Sequence, residues 1–148
     1  MDKTAYLIDL SGSPRTDFGK TDFLTQQEEQ KVFSAIWSLE SQVNNGGFKQ
    51  YFESWDGETA NFAPTALRAI GANACANIVS RALKIASVDP MPHARDTRLK
   101  LIAALDKKAL QALDSLNSEF FAYPDDLAEL LFAYVGARPE VFGPVPNG

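Results

Sequence analysis

The sequence predicts an all-α fold: one compact domain of six or seven helices over residues 25–148, preceded by an irregular N-terminal arm over residues 1–24. Three observations carry this. Apolar residues recur at intervals of three and four, no segment alternates strictly between apolar and polar, and no hairpin dipeptide separates β-branched runs. With 148 residues, 45% of them hydrophobic, the chain can bury a core without a disulfide or a structural metal.

Each element has its own signal. Ser11-Gly12-Ser13-Pro14-Arg15 and Asp17-Phe18-Gly19-Lys20 are turn sequences, which is why the arm reads as irregular. Thr25-Gln26-Gln27-Glu28 matches a capping box and starts a helix. Val32, Phe33, Ile36, Trp37 and Val43 form its apolar stripe, with Glu28, Lys31, Glu40 and Gln42 away from it. Asn44-Asn45-Gly46-Gly47 reads as a C-terminal cap and tight reversal, because Asn and Gly tolerate the left-handed conformation. A short aromatic helix follows over 48–55, ended by Asp56-Gly57. Residues 61–70 form the next helix, with Pro64 in its first turn. Gly71-Ala72 then leads to a helix capped by Asn73, whose apolar face is Cys75, Ile78, Val79, Ala82, Leu83 and Ala86.

Asp89-Pro90-Met91-Pro92-His93 is a stiff connection. Over 95–122, Leu99, Ile102, Ala103, Leu110, Leu113, Leu116 and Phe120 keep the helical period, either as one long helix or as two broken at Asp106. Tyr123-Pro124-Asp125-Asp126 restarts the chain, and Leu127, Leu130, Leu131, Tyr134 and Val135 mark the last amphipathic helix before Arg138-Pro139.

Composition excludes several function classes. One cysteine closes no intrachain disulfide, and one cysteine with one histidine makes no Cys/His zinc site. No 18-residue apolar stretch and no signal-like N-terminus occur, so a cytoplasmic protein with no membrane partner is expected. The net charge is -5, but segments 1–67, 68–108 and 109–148 carry nets of -5, +5 and -5. Such blocks are either solvated helix faces or segregated patches.

Catalytic chemistry is poorly served. His93 sits beside prolines, Cys75 lies on an apolar face, and no cofactor motif is present; Gly46-Gly47 lacks the ending of a phosphate loop. Asp125 and Glu129 have an i, i+4 spacing able to hold a cation, yet acids at a helix N-terminus are also what the macrodipole favours, so no metal is expected. Residues 61–87 have a helix-turn-helix pattern in which Asn73, Asn77, Ser80, Arg81 and Lys84 would face a groove, a reading opposed by acidic flanks that make direct nucleic-acid binding a minor alternative.

The segment Val43-Asn44-Asn45-Gly46-Gly47-Phe48-x-Gln50-Tyr51-Phe52 is followed by Ala66-Leu67-x-Ala69-Ile70-Gly71-Ala72, then by Leu113-Asp114 with Phe120 and Phe121. Next come Asp125-Asp126-Leu127-x-x-Leu130-Leu131-x-x-Tyr134 and Pro139-x-x-Phe142. Together they resemble the bacterial DNA-mimic protein C-terminal-domain family. The resemblance implies a small all-helical protein without cofactor, a homodimer in the family's studied example; together with the poor catalytic inventory, a protein that binds protein and is not an enzyme is expected. That example displays acids in place of phosphates on the DNA-binding surface of a transcription factor and relieves its repression.

Duplex DNA carries one charge per roughly 1.7 Å, so matching roughly 30 Å of it needs some 17 or 18 carboxylates on one face. The chain has 19 in all, so a monomer could imitate only a short stretch. The candidate partner-binding acidic strips are Glu53, Asp56 and Glu58, and Asp114, Glu119, Asp125, Asp126 and Glu129; the same acids also read as ordinary solvated faces. Asn44, Asn45, Gly46, Gly47, Phe48, Gln50 and Tyr51 read mainly as a structural motif. Their alternative is a polar pocket of Asn44, Asn45 and Gln50 beside Phe48, Tyr51 and Trp55. The expected partner is a basic nucleic-acid-binding protein. An immunity or scaffold protein for another partner is the further alternative.

Overall fold

The structure, a computed structural model, describes residues 1–16, 18, 20–86 and 90–146. Asp17 and Gly19 of the first expected turn region, and Asp89 of the expected stiff connection, lie outside the described residues. The all-α expectation holds: eight helices are present among the described residues, and none of these residues is in a strand. They are α1 (Lys3–Ser11), α2 (Glu28–Glu53), α3 (Ala63–Ala69), α4 (Asn73–Ala86), α5 (Arg95–Ala103), α6 (Lys107–Phe121), α7 (Leu127–Gly136) and the single turn α8 (Pro139–Phe142). Two 3₁₀ turns, Phe23–Thr25 and Trp55–Thr59, flank α2.

The central helix is α2, which packs on α3, α5 and α6, while α4 rests on α3 and α6, and α1 on α7. Val32, Phe33, Ile36, Leu39, Val43, Phe48, Tyr51 and Phe52 of α2 are buried, so the helix supplies the middle of the core. Its expected stripe is confirmed except at Trp37, which is half-buried. The α4 face is also as expected, with Leu83 half-buried at its edge.

Several local expectations are corrected. Residues 3–11 are not irregular: Asp2 caps α1 by accepting from the Ala5 amide, and Leu7 and Leu10 are buried. Two buried leucines make a weak periodic signal, and the helix persists because α7 covers them. The capping box does not form. Thr25 belongs to the 3₁₀ turn and its hydroxyl donates to the Asp22 carbonyl, so the N-cap is Gln27. Burial of Phe23 and of Gln26, whose amide oxygen accepts from the Ser34 hydroxyl, holds this segment in the tighter turn. Asn73 opens α4 as its first residue. The 95–122 segment is two helices, because Asp106 caps α6 by accepting from the Ala109 amide at 2.8 Å. On α5 the interior positions are Arg98 and Ile102, with Ala103 exposed and Leu99 half-buried.

Candidate functional site

The Asn-Asn-Gly-Gly-Phe segment kinks α2 without reversing the chain. Gly47 has φ +80 and ψ -177, a conformation open essentially to glycine alone, and the helix resumes at once. The resumed half needs a cap of its own, and Asn117 on α6 provides it: its Oδ1 accepts from the Phe48 amide at 2.8 Å. A Cβ on Gly47 would lie 2.4 Å from the Asn117 amide nitrogen, so the glycine is also what lets α6 approach. Over the kink, Gln50 donates to Gln42 at 3.0 Å and Gln42 donates to Asp56 at 3.0 Å. The other end of α2 is closed by two arginines. Buried Arg98 donates to the carbonyls of Phe52 (2.9 Å), Ser54 (2.7 Å) and His93, and Arg95 donates to that of Glu53 (2.9 Å).

The residues expected to form one polar pocket are not brought together. Phe48 and Tyr51 are core residues, and burial pushes the Tyr51 hydroxyl well up; it pairs with Thr59 at 2.6 Å. Asn45 is exposed, Asn44 faces a hollow against α1 and α7, and Gln50 lines a different cleft with Trp55 and Arg95. Trp55 is 74% exposed, with the Arg95 guanidinium 4.7 Å above its ring.

Most of the candidate acids already have partners. Glu53 pairs with Lys49, Asp56 accepts from Gln42, and Glu58 lies 3.6 Å from His93. Glu119 is bound by both terminal nitrogens of Arg81 at 2.8 Å, which holds its carboxyl below its ordinary value, and Glu129 pairs with Lys3. Asp126 caps α7 by accepting from the Glu129 amide. Asp125 accepts from the Cys75 amide at 2.8 Å, capping the first turn of α4 from a loop 50 residues away. The i, i+4 cation reading of Asp125 and Glu129 therefore finds both groups engaged, and no metal-binding cluster of His, Cys, Asp or Glu occurs among the described residues. Asp114 is exposed and has no hydrogen bond or ion pair among the described residues.

Asp126 acts electrostatically on another carboxylate, one that the sequence placed away from the apolar stripe: Glu40 on α2. Burial, and then the nearby Asp126 charge, push the Glu40 carboxyl above its ordinary value. Burial, followed by the charge of Asp125, likewise pushes the Cys75 thiol up to about 12. Glu40 lines a hollow of about 320 Å³ between α1, α2 and α7, with Trp37 and Tyr123 also in its walls. Glu40 is missed by periodicity because its burial comes from other elements.

This is a small helical protein of net charge -5, whose one thiol is buried. Among the described residues no helix is long and apolar enough to cross a membrane. A family model described as DMP19-like protein matches residues 25–138, more than half of the chain; the chain belongs to that DNA-mimic family. Neither the curated proteins nor the solved structures contain a match to it.

Proposed function

We propose that the chain works without catalysis, as an acidic helical decoy that binds the basic surface of a DNA-binding protein or transcription factor and thereby regulates it. Family membership supports the class of activity. The observation that carries the location is the pair Glu40 and Asp126, carboxylates near enough to act on each other, with Asp125 beside Asp126 in the chain and no ion-pair partner for any of the three among the described residues. Asp114 is a further exposed carboxylate with no ion-pair partner among the described residues. Complementary charge of this kind acts mainly on association rate and partner choice.

The runner-up, direct duplex binding through residues 61–87, is disfavoured by Arg81, whose guanidinium fork is occupied by Glu119. Catalysis is disfavoured by a buried, protonated Cys75 and by His93, which is exposed with its imidazole 3.6 Å from Glu58.

The test immobilises the chain, captures basic proteins from a soluble cell extract, and challenges the complex with salt and then with duplex DNA. Release between about 50 and 200 mM salt and displacement by the duplex support the decoy. A partner held at high salt, or indifferent to DNA, overturns it. The matched variant D114N/D125N/D126N removes charge while keeping both caps, because asparagine caps as well as aspartate; it is expected to lose the partner.

A further inference from the structure

The hollow between α1, α2 and α7 has a chemistry of its own. Leu7, Ile8, Trp37 and Leu131 make it largely apolar, and Glu40 and Tyr123 bring polar atoms to it. Glu40 is half-buried there and has no hydrogen bond or ion pair among the described residues. The cation on α1, Lys3, is committed elsewhere: it pairs with Glu129 and lies 5.3 Å over the Phe132 ring. Tyr123, 45% exposed, is held at φ 58, the one non-glycine residue with positive φ among those described.

A carboxylate partly withdrawn from water and left without a counter-charge is unfavourable, and a cation arriving from outside relieves it. The apolar walls require that cation to come on an aliphatic stem, and aromatic side chains beside it favour a flat, weakly hydrated one. Guanidinium meets both conditions and forks onto a carboxylate, which ammonium cannot do. At about 320 Å³ the hollow is at the lower end of ligand sites, which run from about 300 Å³ upward, a size that suits one side chain and not a helix.

We propose that this hollow is a socket for an arginine side chain of the basic partner protein, with Glu40 receiving the guanidinium and Trp37 and Tyr123 flanking it. The socket rests on the decoy reading for its partner, but its chemistry can be tested without one. The chain has two tryptophans, and Trp55 lies in the other cleft, so Trp55→Phe leaves Trp37 as the sole fluorescent reporter. This variant is titrated with N-acetyl-arginine amide, with its neutral citrulline counterpart and with N-acetyl-lysine amide.

The expected result is saturable change in Trp37 emission with the arginine amide, weaker by about tenfold with either of the others, and weakened equally by Glu40→Gln. Glu40 makes no hydrogen bond that the glutamine would lose, and unchanged circular dichroism verifies the fold. Equal response to citrulline, or to lysine, overturns the assignment. So does a Glu40-dependent dimer that already quenches Trp37, which would place a second copy in the hollow. Probe binding that fails while extract capture succeeds removes the socket alone, and the reverse pattern removes the decoy alone.

Discussion

At the scale of single residues, two side chains oppose their own charge to the interior and differ in how it is met. Arg98 is 1% exposed, yet its guanidinium satisfies carbonyls at the end of α2 and in the 93–98 turn. Burial lowers its affinity for its proton, but arginine remains charged. Arg98→Met should therefore cost roughly 3 kcal/mol or more, because several buried acceptors lose a charged donor together; urea unfolding measures it. Glu40 has no such compensation. A carboxyl whose pKa is raised by folding holds its proton more tightly in the folded state, so its contribution is fully present below the ordinary value of 4.5 and is lost as pH rises through the raised one. Glu40→Gln should thus stabilise the protein at about pH 7 and change little at about pH 3, as thermal midpoints at both values would reveal. Loss of stability at neutral pH would mean that Glu40 has an attractive partner after all.

At the scale of elements, the kink in α2 joins two helices that neither half could close alone. Gly47→Ala is expected to cost about 1–3 kcal/mol from backbone strain alone, with more from the contact at 2.4 Å with Asn117. Asn117→Ala should cost about 1 kcal/mol through the lost Phe48 cap. The double variant should fall short of the sum, since both changes act on one contact; denaturation of the three variants tests this. The break at 46–47 was legible in the sequence because glycine conformation is a local property. The sequence left the split at Asp106 open as one of two alternatives, and the Asp106 cap decides it. The partner that completes the kink was not legible, since Asn117 lies 69 residues from Phe48. The start of α2 misled for the complementary reason: Thr25 and Glu28 have the right spacing for a box, and burial of Phe23 and Gln26 decides otherwise.

At the scale of the whole molecule, part of the alternating charge of the sequence is neutralised by pairing between its segments. Arg81, Arg95 and Arg98 from the basic middle segment are spent on Glu119 and on the end of α2. Glu53, Glu119 and Glu129, from the acidic ends, are spent on cations. Counting charges along the chain therefore locates candidate strips but not which acids are free, and α1 illustrates why. Its Leu7 and Leu10 become a core only against α7, and its Lys3 takes Glu129 out of the free set. Deleting residues 1–12 removes burial contributing about 1.5–3 kcal/mol per leucine, offset in part by the entropy of ordering a helix. A lower thermal midpoint and a red shift of Trp37 emission are expected, since the deletion strips one wall from the hollow. An unchanged emission maximum would show that α1 does not cover that tryptophan.

The bond from the Cys75 amide to Asp125 makes the first turn of α4 a reporter on a distant loop. Amides in a helix's first turn have no acceptor within the helix, and they normally trade their hydrogens with solvent quickly. Here the Cys75 amide should be slow, and its exchange rate should track how often the loop before α7 lifts away. A partner that pulls on Asp125 would speed that single amide while the middle of α4 stays protected. The protein thus carries, in one backbone hydrogen, a local clock for the opening of the loop that holds Asp125.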